Sequence, residues 1–171
     1  MMLPMDFFER PTLIVAHDML GKFLCCSDGR ALMITEVEAY DGPQDLACHA
    51  ARGRTPRTEV MFGAAGHFYV YLIYGIHWML NVVTDRKDYP AAVLIRGLEG
   101  ISGPARLTKA LKIDKKLNTL PAHPASGFWF EDRGTRIPSR EIIKTPRIGV
   151  DYAGPEWATK PWRFLVKNGS S

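Results

Sequence analysis

The chain has 171 residues, 46% hydrophobic and 23% charged, a balance that argues against disorder and allows one domain with a sizeable core. Its formal net charge of +4 and pI near 9.0 favour an acidic partner without identifying one. No apolar run reaches the ~18 residues of a membrane span, and the start MMLPMDFFER lacks the basic-then-apolar pattern of a secretion signal.

In chain order, Pro11–Leu20 is predicted as a short helix, with Pro in its first turn and Gly21 as its stop. Lys22–Cys26 and Ala31–Tyr40 flank Ser-Asp-Gly-Arg, the pattern of a hairpin. Regular alternation along the second strand puts Ile34, Glu36, Glu38 and Tyr40 on one face. Two carboxylates beside Ile and Tyr are unexpected in a strand that serves only packing. After Gly42-Pro43, a basic loop without a core-forming pattern extends to about Gly66. Phe68–Tyr74 and Trp78–Thr84 form a second hairpin around Gly75, in which Tyr69, Tyr71 and Ile73 face one way and Tyr74, of opposite parity, sits by the turn. Ala91–Leu98 is a further strand, with Leu94 and Arg96 on a common face. Ser102 is expected to cap a helix running to Ile113, with Gly103-Pro104 in its first turn. Short strands are expected around Gly127–Glu131, Arg147–Val150 and Trp162–Val166. Strands dominate the middle and helices the flanks, so the expected class is α+β: a single domain over residues 1–171 on a strongly curved antiparallel sheet with a protruding hairpin.

The chemistry concentrates between Ile34 and Asn81. A carboxylate on an inward strand face must be paired or functional, because burying it alone is too costly. Glu38 is the best candidate for a catalytic base, and Arg96 is the natural partner to keep it ionised. A purely structural Glu38–Arg96 salt bridge is the alternative, and Glu36 is a competing carboxylate that the pattern alone does not separate from Glu38. Tyr40, Tyr69 and Tyr71 carry hydroxyls that core rings would not need, and stacking a base on such rings is worth about 1–3 kcal/mol. Arg52, Arg54 and Arg57, with the helix start at Ser102-Gly103-Pro104 and Lys109, Lys112, Lys115 and Lys116 beyond it, suggest a surface that tracks phosphates. Cys25, Cys26 and Cys48 are an odd set that argues for a reducing compartment. With His17 and His49 they show no metal-site spacing, so neither metal nor cofactor is expected. No Ser-His-Asp order, P-loop or G-x-G-x-x-G supports acyl transfer or nucleotide hydrolysis. The residues suit an enzyme that stacks a nucleobase and hydrolyses a bond beside it. A non-catalytic nucleic-acid binder and a hydrolase of free nucleosides are the rival readings.

The segments TEVEAY, DGPQDLACH, RTPRTEVMFG, FYVYLIYG, MLNVV, AAVLIRGLE, SGPARLTKAL, RIGVDYAG and ATKPWRF, in this order, resemble the alkyladenine (3-methyladenine) DNA glycosylase family. The resemblance runs from about Pro11 to Val166. It implies a mixed α/β domain whose hairpin enters the DNA minor groove, and excision of alkylated and deaminated purines by base flipping. It implies Glu38, in E-V-E-A-Y, as general base rather than Glu36. Arg96, in L-I-R, would help hold the attacking water, with the backbone carbonyl of Ile148, in R-I-G-V, as the water's other contact. Tyr40, Tyr71 and His49 would sandwich the flipped base, with Tyr69 beside them and Ala47 and His49 offering backbone contacts. Asn81 would clash with the 2-amino group of guanine, Leu94 would line the pocket, and Tyr74 would be the wedge that fills the duplex. The expected enzyme is a monofunctional, cofactor-free monomer acting on double-stranded DNA in the cytoplasm of a bacterial cell, at the nucleoid. Its expected lesions are 3-methyladenine, 7-methylguanine, hypoxanthine and ethenoadenine. Departures fall in the hairpin beyond the wedge, Gly-Ile-His-Trp, and between Leu98 and Ser102, which are joined only by Glu-Gly-Ile.

Overall fold

The computed structural model describes residues 1–168. A short helix α1 (Met5–Phe8) precedes α2 (Thr12–Met19), then strands β1 (Phe23–Cys26), β2 (Ala31–Asp41), β3 (Phe68–Ile73), β4 (His77–Val83), β5 (Ala91–Leu98) and β6 (Ile101–Ser102). Helix α3 (Pro104–Leu111), β7 (Phe128–Glu131), β8 (Ile142–Thr145), α4 (Gly154–Ala158) and β9 (Arg163–Val166) complete the chain. All strands join one curled antiparallel sheet, ordered β3-β4-β5-β2-β1-β7, with β6 on β5, and β9 bridging β2 and β8.

The sheet has two faces of different chemistry. Phe68, Val70, Leu80, Val82, Val93, Ile95, Val37 and Ala39 point into the main core, covered by α2 against β2 and by α3 against β4 and β5. Residues of the other parity carry the polar and tyrosine side chains. Period-two alternation explains the segregation, because the β3–β4 and β4–β5 ladders keep their register and the β2–β5 ladder keeps its own from Val37 onward.

Five expectations need correction. Ile34 does not share a face with Glu36, Glu38 and Tyr40: it is buried in the core with Val37 and Ala39, because the ladder to β5 is irregular between Ile34 and Val37. The loop to Gly66 is not coreless, since Ala47, Cys48, Ala50, Met61 and Ala65 are buried and 3-10 turns form at His49–Arg52 and Glu59–Phe62. Ser102 is not a helix cap. It pairs with Gly97 as the end of β6, and Gly103, at φ 112°, is the capping residue, a conformation open to glycine. The helix closes at Leu111, with Lys112 in the left-handed region, rather than at Ile113. Arg147–Val150 is not a strand, and the strand lies just before it at β8; the backbone and side chains of 147–148 are spent on two buried carboxylates instead.

Candidate active site

Cross-strand register builds the site. Tyr69 on β3 pairs with Asn81 on β4, which pairs with Leu94 on β5, which pairs with Glu38 on β2, which pairs with Arg163 on β9. Paired residues of an antiparallel ladder project to the same side, so one row crosses the non-core face from the hairpin to β9. Tyr71, Tyr40, Arg96 and Glu36 stand two residues away along their strands and share that side.

Glu38 is fully buried. Its Oε1 accepts from the Tyr40 hydroxyl at 2.8 Å and its Oε2 from the backbone N–H of Ile148 at 2.7 Å. The expected Glu38–Arg96 pair is an ion contact without a hydrogen bond: Arg96 Nε lies 3.7 Å from Glu38 Oε2 and donates instead to Glu36 Oε2 at 3.0 Å. Burial therefore dominates and pushes the Glu38 carboxyl above the ordinary range, although Arg96, the Ile148 N–H, Tyr40 and Arg147 each pull it down. A carboxylate in this state is a stronger base than one in water.

A second charge centre, not singled out in the sequence, supports the first. Asp45 and Arg147 form a buried fork, Nη1 to Oδ2 at 2.6 Å and Nη2 to Oδ1 at 3.0 Å. Asp45 also accepts from the N–H groups of Asp41 and Ala47, and Arg147 donates to the carbonyls of Ala39 and Trp157. The guanidinium lies 5.0 Å from the centres of both the Tyr40 and Trp162 rings. The pair thus ties β2, the following turn, the 147–148 backbone and α4 together around Tyr40 and Glu38. Asp in DGPQD and Arg in TPR read as turn and loop charges, so only the pairing across the fold reveals them.

Beside Glu38, the residues Tyr40, His49, Met61, Tyr69, Tyr71, Asn81 and Ala92 line a cavity. His49 Nδ1 is 3.1 Å from the Tyr69 hydroxyl, and its ring meets that of Tyr71 edge-on at 4.5 Å. Tyr69 and Tyr71 are 5.0 Å apart. The space between the rings holds little more than a water molecule, so a purine enters only if they part. Burial and the Arg57 charge push His49 down to about 4, leaving it uncharged near neutrality, while burial pushes Tyr69 up to about 12 and Tyr71 higher. The walls are therefore neutral, π-rich surfaces beside a carboxylate, suited to a cationic flat ring. Asn81 Nδ2 donates to the Tyr69 carbonyl at 3.1 Å, which pins its amide. Leu94 lies between Asn81 and Glu38 in the row. Ala47 packs with Val150 and Ala153 against Tyr40, and its carbonyl accepts from the Tyr152 hydroxyl. Met61 and Ala92 carry no polar signal that the sequence could have shown.

The hairpin tip stands clear of the core. Tyr74 is 88% exposed at φ 52° and Ile76 is 69% exposed, both flanking Gly75. Ile76, His77 and Trp78 line a groove together with Arg106 and Lys109 of α3, so the tip and one of the expected phosphate contacts share a surface. Arg52 is exposed, as are Ser102 and Lys109. The other two arginines are engaged: Arg54 pairs with Glu59 and Asp88, and Arg57 lies 5.0 Å from the Tyr71 ring centre.

The family model for Methylpurine-DNA glycosylase (MPG) matches residues 6–170. The chain is 47% identical to a protein of Methanocella arvoryzae, covering 97% of this chain and 92% of that one. It is 46% identical to a protein of Myxococcus xanthus (97% and 90% covered) and to one of Legionella pneumophila strain Corby (97% and 94%). All three relatives carry the name "Putative 3-methyladenine DNA glycosylase".

Proposed function

Because the chain belongs to the methylpurine-DNA glycosylase family and is a hydrolytic DNA glycosylase of the 3-methyladenine type, we propose that Glu38 is the general base that activates water at C1′ of a flipped purine. The observation that carries this reading is the fully buried Glu38 carboxylate, held by two neutral donors, one of them the Tyr40 ring that lines the cavity. The glycosidic bond is out of reach inside the stack, so the nucleotide swings out and its base parts the rings of Tyr40, His49 and Tyr71. Stacking there offsets much of the flipping cost of a few kcal/mol. Glu38 takes the proton as water attacks. Arg96 and the Ile148 backbone carbonyl hold that water, and the nearby carboxylate favours the oxocarbenium character at C1′.

The neutral walls favour 3-methyladenine and 7-methylguanine, which are cationic and leave readily. Hypoxanthine and ethenoadenine fit the same slot and need protonation to leave. Asn81 disfavours guanine through its 2-amino group, a cost that cationic 7-methylguanine offsets by leaving readily, with Tyr69, Leu94 and the backbone of Ala47 and His49 completing the base site. Tyr74 wedges into the vacated stack. Arg52, Arg54, Arg57, Ser102, Gly103 and Lys109 contact the phosphates of the duplex, so binding weakens steeply with salt. The enzyme acts as a monomer at the nucleoid and, with no lysine among the described residues that line the cavity, leaves an abasic site in an intact strand.

The test is release of free base from methylated duplex DNA, run beside free methylated nucleosides and with borohydride added. Release from duplex alone, with no trapped protein–DNA adduct, is expected. Binding without release would make the protein a binder, release from nucleosides a nucleoside hydrolase, and a trapped adduct a bifunctional lyase.

A further inference from the structure

Glu36 is the carboxylate that the sequence put in competition with Glu38, and the mechanism above leaves it unused. It is not idle. Its Oε2 accepts from two arginines at once, Arg96 Nε at 3.0 Å and Arg163 Nη1 at 3.2 Å. The same Arg96 Nε reaches Glu38 only at 3.7 Å, beyond hydrogen-bond distance. Arg163 in turn donates from Nε to the carbonyl of Pro146 at 3.0 Å, two residues before the Ile148 N–H that holds Glu38. A single carboxylate therefore fixes the guanidinium nearest Glu38 and an arginine that anchors the loop on Glu38's other side.

We propose that Glu36 is a positioning residue: by taking the hydrogen bond of Arg96, it holds that cation short of Glu38 and leaves Glu38 free to accept a proton from water. This rests on Glu38 being the general base. An arginine hydrogen-bonded directly to Glu38 would fill one of its lone pairs and strengthen the charge-assisted pairing that weakens a base. Held at Glu36, Arg96 keeps a Coulombic hold on the ionised form while leaving that lone pair open. Every charged or titratable group facing Glu38 fits this arrangement. Arg96 comes from β5, Arg163 from β9 and Arg147 from the loop after β8. Glu36 and Tyr40 flank it on β2, with Tyr71 on β3 and Tyr152 beyond Ala47.

Glu36→Gln keeps the shape and removes the charge. Arg96 then swings onto Glu38, so the acid limb of single-turnover excision moves to lower pH and the plateau rate falls by roughly three- to tenfold, following the weaker base. Glu36→Asp, which keeps the charge, recovers most of the rate. Arg163→Gln leaves Glu36 to Arg96 alone, so its acid limb moves the opposite way, to higher pH. Carboxyl-carbon NMR titration of Glu38 in each variant reads the same shifts directly, in protein that melts as one cooperative unit. An unmoved limb and an unmoved Glu38 titration in both Glu36→Gln and Arg163→Gln would overturn the proposal, and so would an upward shift in Glu36→Gln. Either result leaves the base assignment standing, because that assignment is tested separately by Glu38→Gln, whose failure to lose excision would remove it instead.

Discussion

Glu38 and Asp45 are both fully buried carboxylates, at the end of β2 and in the turn that follows it, yet their surroundings differ in kind. Asp45 receives both prongs of the Arg147 fork and two backbone N–H groups, so each oxygen is doubly satisfied and its charge is matched in place. Glu38 receives one hydroxyl and one N–H, both neutral, while the nearest arginine bonds to another residue. Burial alone therefore does not mark a reactive carboxylate. What marks it is burial with incomplete charge compensation: Asp45 is equipped to hold a structure together and Glu38 to accept a proton.

That contrast can be broken at either end. Asp45→Asn leaves the Arg147 charge buried and unpaired and should cost about 3–5 kcal/mol of stability, read by denaturant unfolding. A loss below ~1 kcal/mol would mean the fork contributes little and the contrast is false. Glu38→Gln should act in the other direction. Because burial raises the Glu38 carboxyl above its ordinary 4.5, the folded chain keeps that proton to higher pH than the unfolded chain does. The stability linked to Glu38 is thus full below about 4.5 and is lost as pH rises through the folded value, so at neutrality the ionised side chain is a cost. The variant should melt higher than wild type near pH 7, by roughly 2–4 °C per kcal/mol relieved, and should show a flatter decline with pH. A lower melting temperature would make Glu38 a structural ion.

Asn81→Ser sharpens the role of the same face. The amide is pinned to the Tyr69 carbonyl and cannot turn aside, so shortening it should admit guanine-type bases better, by about 1 kcal/mol or more in relative excision, with adenine-type lesions changed less. An unchanged guanine-to-adenine ratio places the gate elsewhere. The smallest effect on stability is expected at Tyr74, whose exposed ring packs on nothing in the core. Tyr74→Ser should leave stability within about 0.5 kcal/mol, slow excision from well-paired duplexes and spare mismatched or single-stranded lesions. Uniform loss with a lower melting temperature would return Tyr74 to the core.

Much of this was legible in the sequence because it rests on local alternation. The two hairpins, β5, and the shared side of Glu36, Glu38 and Tyr40 follow from period two and turn chemistry, and four of the nine blocks that carry the family resemblance, TEVEAY, FYVYLIYG, MLNVV and AAVLIRGLE, lie on those strands. Ile34 escaped because an irregular ladder changes parity without any local signature. Met61 and Ala50 escaped because 3-10 turns bury single residues without a repeating pattern. The Arg147 fork, the hydrogen bond of Arg96 to Glu36 rather than Glu38 and the use of 147–148 as a cage rather than a strand are contacts between distant segments, which spacing does not encode. Family resemblance singled out Glu38 over Glu36, and the geometry separates the two: Glu36 takes the hydrogen bond of Arg96, while Glu38 keeps only an ion contact with it at 3.7 Å.

The central claim is that the incompletely compensated carboxylate performs the chemistry. Single-turnover release of 3-methyladenine from duplex DNA by wild type and Glu38→Gln, followed across pH under saturating enzyme, tests it most directly. The account predicts a wild-type acid limb above 4.5, a loss of roughly 10²- to 10⁴-fold in the variant, no remaining acid limb, and lesion binding intact. Near-normal excision by Glu38→Gln, or a variant that keeps the wild-type acid limb, would contradict it.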